Sequence, residues 1–108
     1  NVAVRVYTGS APASVTYFDA RRVVTTAGTA VRVAAATTLF SDCIITAEED
    51  NTGDIAIGSS TVVASLLTRR GNPRFPSQSW SPGAPGDLTN LYIDSEVSGD
   101  GVTYTCWR

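Results

Sequence analysis

Few side chains in this sequence can do covalent or proton-transfer chemistry. There is no histidine, and all eight basic residues are arginine, so lysine is absent as well. Without histidine, the side chain whose charge ordinarily changes near neutral pH is missing, and Ser-His-Asp triads and histidine-based metal sites go with it. Without lysine, Schiff-base chemistry and the phosphate-binding lysine of a P-loop are excluded. Carboxylates, hydroxyls and two cysteines remain. Glu48, Glu49 and Asp50, with Asp54 close by, form the one acidic cluster. Such a cluster suits Ca²⁺ held in a loop, or a carboxylate pair for glycoside hydrolysis. No EF-hand-like spacing is present, so a solvated turn whose charges discourage edge pairing is the expectation.

Cys43 and Cys106 both fall on expected inward faces near strand ends, which leaves open a disulfide or a pair of buried core thiols. Two cysteines without histidine fall short of the four soft ligands of a structural metal site, so no metal and no cofactor are expected. Arg69, Arg70 and Arg74 flank Phe75 and Trp80. A guanidinium forks onto carboxylates, and aromatic rings bury much area at low entropic cost, so this grouping reads as an interface. The competing reading is a surface loop whose Phe75 and Trp80 cap one end of the fold. Arg21 and Arg22, next to Tyr17 and Phe18, make a weaker second candidate.

These groups must be positioned by strands. Valine, isoleucine and threonine account for 31 of the 108 residues, a β-branched excess that favours pleated structure. NVAVRVYT at 1–8 alternates, with Val2, Val4 and Val6 on one face. VTYF at 15–18 and RRVVTT at 21–26 make one bent strand or two short ones. Val31 to Phe40 reads as a strand running into a loop, because no N-cap precedes Ala34–Ala36 and ten residues make a marginal helix. In CIITAEED at 43–50, Cys43, Ile45 and Ala47 share one side, while Ile44, Thr46 and Glu48 share the other. Asn51, Gly53 and Asp54 form a tight connection of the kind joining neighbouring antiparallel strands. IAIGSS at 55–60 and TVVASLL at 61–67 follow as strands, with Gly58 at a bulge or close backbone approach.

Four of the five prolines lie within 68–86, which marks that interval as loop, edge strand or both. A strand then runs from about Leu88 to Glu96, with Asp94 and Glu96 facing water. The chain closes with Val102, Tyr104 and Cys106 inward and Thr103 and Thr105 outward. About eight short strands without a long helix predict one all-β domain over 1–108, an antiparallel β-sandwich or jelly-roll-like small barrel. Residues 2–7 and 102–107 are expected to pair within the chain, or else with a neighbouring subunit. The absence of methionine reads as a processed or trimmed start at Asn1, and no leader is expected. No apolar run approaches the roughly 18 residues of a spanning helix. A net charge of −2 without a basic block argues against bare nucleic acid, so neither membrane nor nucleic acid is expected as a partner.

The run CIITAEEDNTGDIAIGSSTVVAS, then a Gly/Pro-rich interval, then PGDLTNLYIDSEVSGDGVTYTCW, resembles small β-sandwich virion structural proteins of tailed bacteriophages, of the capsid decoration (cement) type. The elements carrying the resemblance are Cys43–Ala47, Asn51–Gly53, Ile57–Val62, Pro85–Tyr92 and Val102–Trp107, covering about the last two-thirds of the chain. The interval 68–86 departs from the usual pattern, being longer and richer in arginine, proline and aromatics. The resemblance implies a non-enzymatic particle component bound to the major capsid protein on the outside of the shell, as a homo-oligomer, with a trimer favoured. It also implies folding in the reducing bacterial cytoplasm, which favours reduced core cysteines over a bridge. The alternative is a head-fibre or tail component recognising host carbohydrate, with Trp80, Tyr92 or Trp107 stacking on sugars.

Overall fold

The structure is a computed structural model and describes residues 14–108. The described residues form ten strands. In chain order these are β1 (Tyr17–Val23), β2 (Val31–Arg32), β3 (Leu39–Phe40), β4 (Asp42–Ala47), β5 (Ile55–Gly58), β6 (Asn72–Arg74), β7 (Ser79–Trp80), β8 (Gly86–Asp87), β9 (Tyr92–Ser95) and β10 (Gly101–Trp107). Single 3₁₀ turns occur at Leu66–Thr68 and Leu88–Asn90. All pairings are antiparallel. One four-stranded sheet has the order β1-β10-β4-β7, a second has β2-β9-β5-β6, and β3 with β8 makes a small third. The protein is all-β, a small sandwich rather than a closed barrel.

The alternation in β4 and β10 dictates the core. Cys43, Ile45 and Ala47 pair with Cys106, Tyr104 and Val102 on one face of the first sheet, and all six are buried. They meet Ile55, Ile57 and Ile93 from the second sheet, with Val24, Val33, Phe40 and Leu88 filling in from the connections. Fully burying such a side chain stabilises by about 1.5–3 kcal/mol, so this face supplies the main driving force. The two stretches at 15–18 and 21–26 contribute to a single strand, β1. The N–H of Glu48 donates to the carbonyl of Gly101, which sets the hydrogen-bonding phase of the β4–β10 ladder. Cys43 and Cys106 then fall on a non-hydrogen-bonded pair, where strands approach closest. Their Cα atoms are 4.0 Å apart and the sulfurs are bonded. The cysteines are therefore a disulfide and not the reduced thiols that the compartment favoured, because direct cross-strand register brings the sulfurs together.

Several connections differ from expectation. Asn51–Asp54 does not join paired neighbours: β4 and β5 lie in different sheets. The Asn51 amide brackets Gly101, donating to its carbonyl at 2.8 Å and accepting its N–H at 3.0 Å. Asp100 accepts the N–H groups of Thr52 and Gly53, so the turn is tied to the β9–β10 corner and the chain crosses over. Val31–Phe40 does start as a strand and run into a loop, but it ends in a second short strand that was not expected. β2 ends at Arg32, and after the Ala34–Ala36 stretch the chain enters β3, which pairs with β8. Pro73 does sit on an edge strand, β6.

Residues 61–67 are not a strand either. Val62 and Ala64 fold over the outer face of the second sheet, where they bury Ala56 together with Ala30 and Tyr92. Gly71 permits the return. Its φ is +103°, and a Cβ there would meet the Ile57 carbonyl oxygen at 2.7 Å. Gly58 lies beside it, where a Cβ would stand 3.4 Å from the Gly71 Cα, an ordinary van der Waals contact. This covering loop also corrects Asp94, which is 0% exposed and does not face water. The expected strand 88–96 begins only at Tyr92, after a 3₁₀ turn capped by Asp87. Residues 2–7 lie outside the described residues. The proposed partner, 102–107, is flanked on both sides by β1 and β4, so no place for a further strand remains beside it.

Candidate functional site

The arginine–aromatic interval is divided by the fold. Arg69 is drawn inward: its Nε donates to the Ala64 carbonyl at 2.9 Å, and its guanidinium pairs with Asp54 at 3.3 Å and Glu96 at 3.4 Å. It pins the covering loop. Arg70 is exposed, and its backbone pairs with Val63. Arg74 closes the turn from β6 to β7, donating to the carbonyls of Ser79 at 2.9 Å and Pro73 at 2.7 Å. Phe75 projects from that turn at 55% exposure. Trp80 sits opposite Ile45 on β4 and packs against the core. Arg74, Phe75 and Trp80 thus share the corner that crosses between the sheets, while Arg69 and Arg70 belong to the covering loop.

That loop also exposes two side chains the sequence pattern assigned to a strand. Leu66 is 69% and Leu67 95% exposed on a single 3₁₀ turn, beside Arg70. Two leucines exposed in water, near an Arg70 side chain that makes no hydrogen bond or ion pair among the described residues, form an apolar and cationic candidate for a contact surface. The only available signal was their adjacency, which breaks a period-two pattern.

The acidic cluster splits too. Asp54 goes to Arg69, whereas Glu48, Glu49 and Asp50 line a shallow cleft of about 680 Å³ with Arg21, Thr46, Ala47, Ser77 and Thr103. Arg21 and Glu48 form a two-point pair, Nε to Oε2 and Nη2 to Oε1, both at 2.7 Å. The hydrogen bonds and charge of Arg21 hold the Glu48 carboxyl below the usual range, which suits a permanent ion pair and not a proton donor. Ser77, with φ +74°, is the sole described non-glycine residue of positive φ, and its N–H donates to the Ala47 carbonyl at 2.9 Å. Among the described residues, no three His, Cys, Asp or Glu side chains gather as a metal site.

No known family matches this chain, and no curated protein or solved structure matches it significantly.

Of the three aromatics suited to sugars, Trp80 is engaged in the core. Tyr92 is held by Arg32, whose Nε donates to its hydroxyl at 2.9 Å. Trp107 instead stands beside Tyr17, centroids 6.3 Å apart and planes at 53°, with Tyr17 70% exposed. Thr105, Asp19 and Ile44 continue this outer face along the next row of the sheet. Of the second candidate group, Tyr17 and Arg21 lie on this outer face. Phe18 and Arg22 point to the other, with the Arg108 guanidinium over Phe18 at 4.7 Å.

Proposed function

We propose that the protein is a bacteriophage virion structural component, a capsid decoration protein that binds the outer surface of the assembled shell and stabilises it without chemistry. The observation carrying this reading is the contrast between interior and surface. The buried polar side chains are spent on architecture: Asp94 and Asp100 accept loop N–H groups, Asn51 brackets Gly101, and both cysteines are bonded. Large apolar groups are left in water on tied-down loops, Leu66, Leu67 and Phe75 among them, with Arg70 beside the leucines. Rigid presentation of such groups lowers the entropic cost of docking.

The mechanism is mass action. A ligand that binds the assembled lattice and not its free subunits stabilises the lattice by RT ln(1 + [L]/Kd) per site. The major capsid protein is the partner on this reading, and a homo-oligomer multiplies the contacts; the trimer comes from the resemblance. The disulfide suits a protein that works on a released particle, outside the reducing cytoplasm where assembly begins. The test is co-sedimentation of purified protein with expanded shells: saturable binding supports decoration, and no binding at micromolar concentration rejects it.

The exposed Tyr17–Trp107 pair favours a second reading, host-carbohydrate recognition by a head fibre or tail component. Copies per particle separate the two readings. Hundreds mean decoration; a handful mean fibre or tail.

A further inference from the structure

We infer that the free edge of β1 is a self-complementary dimerisation edge, which joins the first sheets of two copies across a twofold axis. The phase of the β1–β10 ladder is fixed at both ends. Thr16 and Arg108 exchange backbone hydrogen bonds at 2.8 and 3.0 Å, and the Val24 N–H donates to Asp100 at 2.8 Å. Even-numbered residues of β1 therefore direct their N–H and C=O groups to β10. Tyr17, Asp19, Arg21 and Val23 direct theirs the opposite way, where no described strand lies. At seven residues, β1 is the longest edge strand of either four-stranded sheet; the other edges, β2, β6 and β7, have two or three residues, and β6 carries Pro73.

An open edge of this length is a template for another strand, and charged side chains normally blunt it. Here the charges select one partner. Antiparallel pairing centred on Ala20 sets Asp19 opposite Arg21 of the second copy, and Arg21 opposite its Asp19. Tyr17 then faces Val23, and every outward N–H and C=O meets one from the other chain. A shift of two residues either way opposes Asp19 to Asp19 or Arg21 to Arg21, and a shift of one misaligns the hydrogen bonds. Asp19 has no ion pair among the described residues. Arg21 uses Nε and Nη2 for Glu48, and its Nη1 has no hydrogen-bond partner among the described residues. Ala20, on the inward-facing side, is exposed, so no described residue covers the flank. Pairing yields one continuous eight-stranded sheet, an isologous contact of the commonest kind.

The proposal concerns the chain in solution and does not depend on any shell. Sedimentation equilibrium of the full chain, between roughly 1 and 100 µM, is expected to show a reversible dimer. Asp19→Arg opposes arginines at both charge positions and is expected to weaken association by about tenfold or more, with the melting temperature retained. Ala20→Cys places a thiol opposite itself on a non-hydrogen-bonded pair, about 4.5 Å between Cα atoms, and is expected to give a covalent dimer on mild oxidation. A chain still monomeric at the top concentration overturns the proposal. An oligomer of any order that Asp19→Arg leaves intact overturns it too, as does a dimer in which Ala20→Cys fails to cross-link.

Discussion

Asp94 Oδ2 accepts the backbone N–H of Ala64 at 2.9 Å, and this bond fastens the covering loop to the outer face of the second sheet. Its other oxygen accepts the N–H of Gly28 at 2.9 Å, so one carboxylate secures two connections at once. Asp94→Ala leaves two donors without partners in a closed space and is expected to cost about 2–4 kcal/mol in urea unfolding. Amide exchange across 59–70 should rise with it. A variant with unchanged stability and unchanged exchange would show the loop to be held by packing alone.

The disulfide gives a second prediction. Closing a loop of 63 residues' separation stabilises by roughly 4 kcal/mol in the chain-entropy picture. Reduction, or Cys43→Ala with Cys106→Ala, should lower the melting temperature markedly without changing the far-ultraviolet spectrum of the folded chain. Thiol titration of the denatured, unreduced protein should find no free sulfhydryl. Two would contradict the bridge.

The pH dependence has a definite sign. Glu48 is held below its ordinary range by hydrogen bonds from Arg21, and Asp87 by the N–H groups of Thr38 and Thr89. A carboxylate lowered in the folded state contributes stability that is present above its unfolded pKa, about 4, and is lost as pH falls through the lowered value. Melting temperatures should therefore fall on acidification below that range, and Glu48→Gln should flatten the decline. A protein that gains stability there would contradict both the Arg21–Glu48 ion pair and the backbone hydrogen bonds to Asp87.

The exposed leucines separate binding from folding. Leu67→Ser should change stability by no more than about 0.5 kcal/mol, as expected away from the core. Ile45→Ala, in the centre of the core, should cost about 2–5 kcal/mol. On shells the order reverses, because Leu67→Ser is expected to weaken binding while the protein remains folded. Undiminished shell binding by Leu67→Ser would remove the leucine turn from the interface.

Legibility in the sequence followed element length. β4 and β10 are long enough for strict alternation, so Cys43, Ile45 and Ala47 and Val102, Tyr104 and Cys106 were readable as inward-facing, and all are buried. β2, β3, β7 and β8 have two residues each, too few for any periodicity to appear, and β3 at the end of Val31–Phe40 was missed for that reason. Asp94 was assigned to the correct face of its strand, yet no local pattern announces that a segment thirty residues earlier will cover that face. Arg69 failed similarly: its type suits an interface, but Asp54 and Glu96 come together beside it only through the fold. The exposure of Leu66 and Leu67 became visible only once the strand expected at 61–67 proved to be a loop.

The most direct measurement is the disassembly temperature of expanded phage shells, followed by scanning calorimetry with and without the purified protein. Decoration predicts a rise that grows with protein concentration, saturates with the lattice sites and shrinks for Leu67→Ser. An unshifted transition at saturating micromolar protein would contradict the assignment.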